Sequence, residues 1–178
     1  YLDSLGLFEH GGGGYHCIWF TDEEIELFRS KGLTAVTNPG SNTKLASGIA
    51  NTTAFLKHGV NMAIGTDGPA SNNCLDMFRE MFLVTGLGKL HDRDASAVPA
   101  EEVLKMAVTG GAKAMGLTDC DCLAEGKKAD LIMIDLCQPN MQPENNTLKN
   151  IVYSGSKQNV AMTMVNGRIL YERGTFDI

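Results

Sequence analysis

Residues 33–40, Leu-Thr-Ala-Val-Thr-Asn-Pro-Gly, and residues 60–68, Val-Asn-Met-Ala-Ile-Gly-Thr-Asp-Gly, are the part of the sequence that decides the fold. Each begins with an apolar run of the length of a buried strand and ends in residues typical of a turn. A helical segment at 53–58, which ends at Gly59, connects them. Two buried strands joined through a helix indicate a parallel pair, because a parallel connection needs a crossover.

Strand and helix alternate on both sides of this unit. Thr21 and Glu24 form a capping-box pattern, which predicts a helix that ends at Gly32. Pro99 is suited to the first turn of a further helix. The predicted strands are 15–20, 33–37 and 60–66, the later helices are 75–88 and 99–115, the loops are 38–42 and 67–73, and the connector is 90–97.

Beyond residue 117 the pattern changes from alternating strands and helices to strands. Residues 129–135 are almost continuously apolar, and Asn166-Gly167 separates two further strands, 160–165 and 168–172. Asn-Gly accepts the positive φ of a tight hairpin turn. We therefore expect two domains, an α/β unit over 1–117 and a β-rich unit over 118–178.

Composition excludes several classes of function. The chain is 43% hydrophobic and 20% charged, which allows a core and is not typical of disorder. A net charge of −6 argues against a nucleic-acid partner. No apolar run approaches the roughly 20 residues of a membrane span, so no membrane partner is expected. Five scattered cysteines fit a reducing compartment, so we expect a cytoplasmic protein.

Two ionisable residues lie on or after the predicted parallel strands. His16 lies in the first strand and Asp67 ends the third. Function gathers where such strands end, and a neutral imidazole with a carboxylate is the pair that a water-activating metal site uses. Each residue alone also has a simpler interpretation. His16 fits a hydrogen-bonded core residue and Asp67 fits an Asx-turn.

Four longer strings, taken in order, distinguish between these interpretations. They are His-Cys-Ile-Trp-Phe-Thr-Asp at 16–22, Asn-Pro-Gly-Ser-Asn-Thr-Lys-Leu-Ala-Ser-Gly at 38–48, Gly-Thr-Asp-Gly-Pro-Ala-Ser-Asn-Asn at 65–73 and Leu-Ala-Glu-Gly-Lys-Lys-Ala-Asp-Leu at 123–131. Together they resemble the amidohydrolase superfamily of metal-dependent hydrolases. The branch that they resemble most contains the 5-methylthioadenosine/S-adenosylhomocysteine deaminases and the s-triazine or atrazine hydrolases.

The resemblance implies an α/β fold and a metal site. The fold would be strands six to eight of a (β/α)₈ metallohydrolase barrel, followed by the carboxy-terminal strands of a small β-sandwich domain. Such enzymes hold one divalent ion, Zn²⁺ or, with the same ligand types, Fe²⁺. Matched by position, Asp67 is the metal ligand that also carries a proton, and His16 is a catalytic histidine. The other ligands have no counterpart here, so we expect the carboxy-terminal part of a longer enzyme, inactive by itself.

The function implied by the resemblance is hydrolytic deamination of a small-molecule heterocycle, such as an adenosine derivative. Two alternatives stay open. One is dechlorination or another amidohydrolase reaction on triazine, guanine, cytosine or imidazolone substrates. The other is an inactive fragment or pseudoenzyme that acts as a binding module. The unpaired edges of a three-strand slice also predict self-association, through strand edges or as a homo-oligomer.

Other features have structural interpretations beside functional ones. Trp19 is a candidate substrate-binding residue, because an indole can stack on a heterocycle, although packing is the simpler interpretation. Four glycines at 11–14 should weaken a strand. They predict either an irregular backbone where the first strand begins or room for a ligand. Turn formation or helix capping is the simplest role of four polar residues near the strand ends, Asn42, Ser71, Asn72 and Asn73.

Overall fold

The computed structural model describes residues 1–177 and contains two separate sheets. The first is parallel, with strand order β1-β2-β3, and the second is antiparallel, with order β4-β5-β6-β7. The strands are β1 (Gly13–Tyr15), β2 (Thr34–Thr37), β3 (Asn61–Ile64), β4 (Leu131–Ile134), β5 (Val160–Val165), β6 (Arg168–Glu172) and β7 (Thr175–Phe176). The parallel strands therefore come first in the chain and the antiparallel strands follow, while the division into two domains at residue 117 stays a prediction.

Helices connect the parallel strands, and several of them pack against β3. They are α1 (Asp22–Ser30), α2 (Pro39–Lys44), α3 (Thr52–Lys57), α4 (Pro69–Asn72), α5 (Met77–Asp92), α6 (Ala100–Lys105), α7 (Gly111–Ala114) and α8 (Thr147–Tyr153). A π-helical turn, Met106–Gly110, joins α6 to α7. The helix predicted at 99–115 is thus present, with one wider turn inside it.

The first strand lies earlier than the sequence predicts. The expected strand at 15–20 is wrong, because β1 covers Gly13–Tyr15 and the next residues, His16 and Cys17, have positive φ angles of 65° and 49°. A Cβ on Gly13 would overlap the carbonyl oxygen of Thr34 on β2. Glycine therefore allows the two backbones to approach closely, and this part of the glycine run forms the strand.

Several predicted loops and boundaries also differ from the structure. The loops at 38–42 and 67–73 contain the short helices α2 and α4, each with a proline in its first turn. Helix α5 continues to Asp92, so part of the connector at 90–97 is helical. Helix α8, which has Asn146 as its cap, and strand β7 were not predicted.

Local signals with a defined hydrogen-bond pattern are confirmed. Thr21 and Glu24 form both bonds of the capping box at the start of α1. Asn166 and Gly167 have φ angles of 49° and 79°, as the hairpin between β5 and β6 requires.

One hydrophobic core links the helices to both sheets. Phe20 packs edge-to-face on Phe28 and Phe55, with ring centroids 5.0 and 5.3 Å apart. Val152 of α8 is fully buried in the same core, and α8 contacts both α5 and α6. Helix α8 therefore anchors the antiparallel part of the chain to the α/β part. Within residues 1–177, none of the helices has the length and apolar character needed to cross a bilayer.

Candidate functional site

His16 and Asp67 lie at the carboxyl end of the parallel sheet. His16 directly follows β1, and Asp67 follows β3 by three residues. Nε2 of His16 lies 3.8 Å from Oδ2 of Asp67, although β2 separates the two strands. The structure therefore brings together the two residues that the sequence singled out, and their chemical roles stay predictions.

Helix α2, which follows the middle strand, connects the two side chains. Oδ1 of Asn42 contacts Nδ1 of His16 at 2.7 Å, and the hydroxyl of Ser41 donates to Oδ2 of Asp67 at 2.7 Å. Because a carboxamide oxygen can only accept, this contact is a hydrogen bond in the tautomer that has its proton on Nδ1 of His16. Its other nitrogen, Nε2, is left directed towards Asp67.

The carboxylate of Asp67 is held in its ionised form by neutral donors. The hydroxyls of Ser41 and Ser71 both donate to Oδ2 at 2.7 Å, and the backbone N–H of Gly68 donates to Oδ1 at 2.8 Å. These three hydrogen bonds, in this order of importance, lower the pKa of Asp67 from 3.8 to about 2. The site therefore presents a negative oxygen beside the imidazole at neutral pH.

The backbone at the site adopts a conformation that non-glycine residues rarely accept. His16, Cys17 and Asp67 have φ angles of 65°, 49° and 60°. Residues held in such conformations cost about 1–3 kcal/mol each and cluster at functional sites. Six other non-glycine residues among those described also have positive φ, including Arg93 at the end of α5 and Asn166 in the hairpin turn, so this conformation accompanies the site and does not identify it.

Cys17 is a structural neighbour of the site and not a nucleophile. Its thiol is buried and donates to the carbonyl oxygen of Gly14 at 3.2 Å. Burial raises the pKa of Cys17 to about 11, so the residue is a neutral thiol under ordinary conditions.

Trp19 lies outside the hydrophobic core of the described residues. Its side chain is 83% exposed, and part of the indole ring lies against Gly48, where an added Cβ would be 3.3 Å from Cζ2. The glycine also has a φ of 126°, a backbone conformation that residues with a side chain rarely adopt. Whether the indole contacts substrate or packs against the rest of the protein is a prediction that these residues leave open.

Sequence reasoning missed part of the site. Asn42 and Ser71 were expected to be turn formers or caps, and Ser41 was not singled out, yet all three contact His16 or Asp67. The signal was their position: they follow strands that neighbour each other in a parallel sheet, so their side chains meet at one edge.

The residues present fit part of a divalent metal site. An ionised carboxylate and a nearby imidazole are suitable donors for Zn²⁺ or Fe²⁺. In the part of the chain that the structure describes, however, no three or more His, Cys, Asp or Glu side chains are grouped to hold an ion. His58 contacts the carbonyl oxygen of Ala54, and His91 contacts Asp92, so neither belongs to the site. The donor types fit, and the number of ligands is incomplete.

The sheet order defines an α/β protein with a histidine and an aspartate paired at the carboxyl end of its parallel strands, and comparison with known proteins gives its family. The model of the amidohydrolase family matches residues 1–170, so the chain belongs to the amidohydrolase family.

Curated and solved relatives share most of this chain. A protein of Dictyoglomus thermophilum named 5-methylthioadenosine/S-adenosylhomocysteine deaminase is 44% identical over 172 residues, which cover 97% of this chain and 40% of that protein. An adenosine deaminase from Xanthomonas campestris, solved with bound zinc, has a TM-score of 0.94 at 36% identity and is matched over 99% of this chain and 40% of its own. Atrazine chlorohydrolase from Arthrobacter aurescens, complexed with zinc, shares the fold, with a TM-score of 0.85 at 24% identity over 90% of this chain and 36% of its own. The chain thus spans about 40% of the length of the curated relatives that it matches.

Proposed function

We propose that this chain belongs to a metal-dependent hydrolase that removes an amine from an aminated heterocycle such as an adenosine derivative. The observation that carries the proposal is the 3.8 Å approach of His16 Nε2 to Asp67 Oδ2 at the carboxyl ends of parallel strands. Membership of the amidohydrolase family supports hydrolysis. The names of the 44% identical relative and of the 36% identical solved neighbour support an adenosine-type substrate.

The proposal includes a position for the chain within a larger fold. Strands β1, β2 and β3 correspond to strands six, seven and eight of a (β/α)₈ barrel within residues 1–117. Residues 118–178 correspond to the carboxy-terminal part of the sandwich domain. The parallel order β1-β2-β3 and the coverage of only 40% of a deaminase relative support this position. The remaining metal ligands then belong to the rest of the protein.

Asp67 is the residue of this chain that would hold the divalent ion, for which Zn²⁺ is the first candidate. The zinc in the Xanthomonas campestris neighbour supports this choice. When bound, such an ion lowers the pKa of a water molecule and polarises the substrate. The hydrogen bonds from Ser41, Ser71 and Gly68 prepare Asp67 for this role, because they keep its carboxylate charged and oriented.

The side chains of this chain would supply proton transfer and charge stabilisation. Water adds its oxygen to the ring carbon, the carbon–nitrogen bond breaks, and the amine leaves as ammonia. Asp67 takes a proton from the attacking water and returns it to the departing nitrogen. Nε2 of His16 interacts with the oxygen on which negative charge develops, while Asn42 fixes the orientation of the ring through Nδ1.

Trp19 is the proposed substrate-contacting residue. It lies three residues after His16, and its indole is largely exposed. An aromatic face of this kind can stack on a purine or a triazine ring.

Ammonia release by the complete protein carrying this chain tests the function. The zinc-loaded protein should deaminate 5′-methylthioadenosine or a related adenosine derivative faster than guanine, and Asp67→Asn should abolish the reaction. Chloride release from a chlorotriazine would support the dechlorination alternative. Binding of the heterocycle without any turnover would support the binding-module alternative and contradict the proposal.

A further inference from the structure

Glu80 is a buried carboxyl that the proposed chemistry does not use. It lies on α5, its exposure is 0%, and it forms no ion pair with any side chain of residues 1–177. A carboxyl in such a place is costly unless both oxygens accept hydrogen bonds. The partners that satisfy it therefore explain why it is there.

Both partners of Glu80 belong to the segments that carry the site. Oε2 accepts the backbone N–H of Gly40 at 2.7 Å, in the first turn of α2. Oε1 accepts a hydrogen bond from Nδ2 of Asn72 at 2.8 Å, at the end of α4. The same Nδ2 also donates to the carbonyl oxygen of Thr66 at 2.7 Å. Thr66 is the residue before Asp67.

Two short paths lead from Glu80 to the functional side chains. Through Gly40, Glu80 holds the helix whose next two residues, Ser41 and Asn42, bond Asp67 and His16. Through Asn72, it holds the backbone immediately before Asp67. We propose that Glu80 is a positioning residue, which ties α2 to α4 and so sets the separation of His16 and Asp67.

The carboxyl of Glu80 lies directly against the backbone of Gly40. A Cβ on Gly40 would overlap Oε1 of Glu80 and lie 2.8 Å from Nδ2 of Asn72. Glycine at position 40 thus permits the contact.

The hydrogen bonds also require an acceptor at both oxygens of Glu80. Oδ1 of Asn72 is buried and has no partner within residues 1–177. Rotating the amide would bring Oδ1 against two acceptors, Thr66 O and Glu80 Oε1, so Nδ2 has to face them. Both partners of Glu80 are donors, Gly40 through its backbone N–H and Asn72 through Nδ2. In Glu80→Gln one of the two acceptor oxygens becomes an NH₂ group, which would face one of these donors.

This pattern makes Glu80→Gln a sharp test, since the side chain keeps its size and loses one acceptor. In the complete protein we expect kcat to fall about 100-fold, because a small misplacement of reacting groups has an effect of this order. KM should change little, because substrate contacts remain. Amide exchange should become faster at 38–45 and 66–73, while exchange of the amides in β2 stays slow.

Thr85→Val is the matched control. Thr85 lies on the same helix, is fully buried, and donates one hydrogen bond to the carbonyl oxygen of Val98, away from the site. This variant should lose stability and keep its kcat. If the role of Glu80 were only to stabilise the fold, Glu80→Gln would behave in the same way below its melting temperature.

Asn72→Asp is a second variant that tests the positioning role if Glu80→Gln does not fold. It changes the hydrogen-bond partner of Glu80 and leaves Glu80 itself unchanged. It places an acceptor against Thr66 O and Glu80 Oε1, so the same fall in kcat is expected. Wild-type turnover in a folded Glu80→Gln or Asn72→Asp variant would overturn the positioning role.

The kinetic measurement rests on the proposed function, whereas amide exchange does not. A wild-type protein that hydrolyses no heterocycle, but whose Glu80→Gln variant exchanges faster at 38–45 and 66–73, would refute the function and support the positioning role.

Discussion

The hydroxyl of Ser41 donates to Oδ2 of Asp67 over 2.7 Å and so joins the segment after β2 to the segment after β3. Ser41 is fully buried, whereas the side chain of Asp67 is 32% exposed, so the bond joins a buried donor to a carboxylate that water can reach. It is the largest of the contributions that hold the pKa of Asp67 at about 2.

Ser41→Ala should raise the pKa of Asp67 from about 2 towards its ordinary value of 3.8. Ser71→Ala should have a smaller effect, because its hydrogen bond ranks second. The side-chain carboxyl signal of Asp67, followed by ¹³C NMR in metal-free protein, measures both. Ser30→Ala is the control, because Ser30 bonds only within α1, to Leu27.

The same shift has a consequence for acid stability. The pKa of Asp67 is lower in the folded chain than the roughly 3.9 of an unfolded aspartate. Its contribution to stability is therefore present above pH 4 or so, and is lost as the pH falls towards about 2. Ser41→Ala should thus make the chain unfold at a higher pH in an acid titration followed by circular dichroism. An unchanged acid transition would contradict the assigned role of this hydrogen bond.

Asp67→Asn should reduce turnover of the complete protein far more than His58→Ala or His91→Ala. Asp67 both ligates the ion and carries the proton in the proposed reaction, so the loss should exceed the ~10²–10⁴-fold typical of a general base alone. His58 and His91 bond elsewhere, to Ala54 and Asp92. Steady-state kinetics on the three variants decides the matter, and a comparable loss at His58 or His91 would mean that His16 is not the catalytic histidine.

Gly13→Ala should destabilise the chain by about 1–3 kcal/mol, because its Cβ would overlap the carbonyl oxygen of Thr34. Gly86→Ala is the matched control. Gly86 lies inside α5 and has open space around its missing Cβ, so alanine should stabilise by about 0.5–1 kcal/mol. Urea unfolding of both variants gives the comparison. Equal effects would show that β1 and β2 are not in close contact.

What the sequence predicts well is local. The capping box at Thr21 and the hairpin at Asn166 each depend on a few neighbouring residues, and both are as predicted. Strand β1 depends instead on the close approach of Gly13 to Thr34, which lies 21 residues further along the chain. A run of glycines does not look like a strand until its partner is known.

The same distinction applies to the site. His16 and Asp67 could be found because each is next to a strand and lies in a family motif. Glu80 could not be found, because its burial depends on helices α2 and α4, which had been predicted as loops. A carboxylate within a helical pattern otherwise indicates a solvated face.

The isolated 178-residue chain should bind Zn²⁺ weakly and without a fixed stoichiometry. It offers Asp67 and a neighbouring imidazole, and the described residues contain no cluster of three or more suitable side chains. A catalytic zinc site needs about three protein ligands. Metal analysis after dialysis is the measurement. One tightly held ion per chain, absent from Asp67→Ala, would mean that other ligands lie within this chain.

The isolated chain should also self-associate, because its parallel sheet has two open edges. Among the three described strands of the parallel sheet, β2 alone has a partner on each side, while β1 and β3 are edges. Unpaired edge strands are templates for pairing with another chain, and parallel sheets normally have both faces covered. An open cavity of about 420 Å³ lies along this sheet, lined by residues such as Gly14, Val36 and Ile64.

Size-exclusion chromatography with light scattering measures this association. Tyr15→Lys should reduce it, because Tyr15 ends β1, is exposed, and lysine on an edge strand opposes pairing. Leu90→Lys is the control, since Leu90 is an equally exposed apolar residue that lies on α5 and not on an edge strand. The expected result is a distribution of oligomers that shifts towards monomer only in Tyr15→Lys. If the parallel sheet is part of a larger barrel, β1 and β3 lack their neighbours in the isolated chain. A single monomeric peak with cooperative melting would therefore contradict the partial-barrel interpretation and mean that the chain folds as a complete domain.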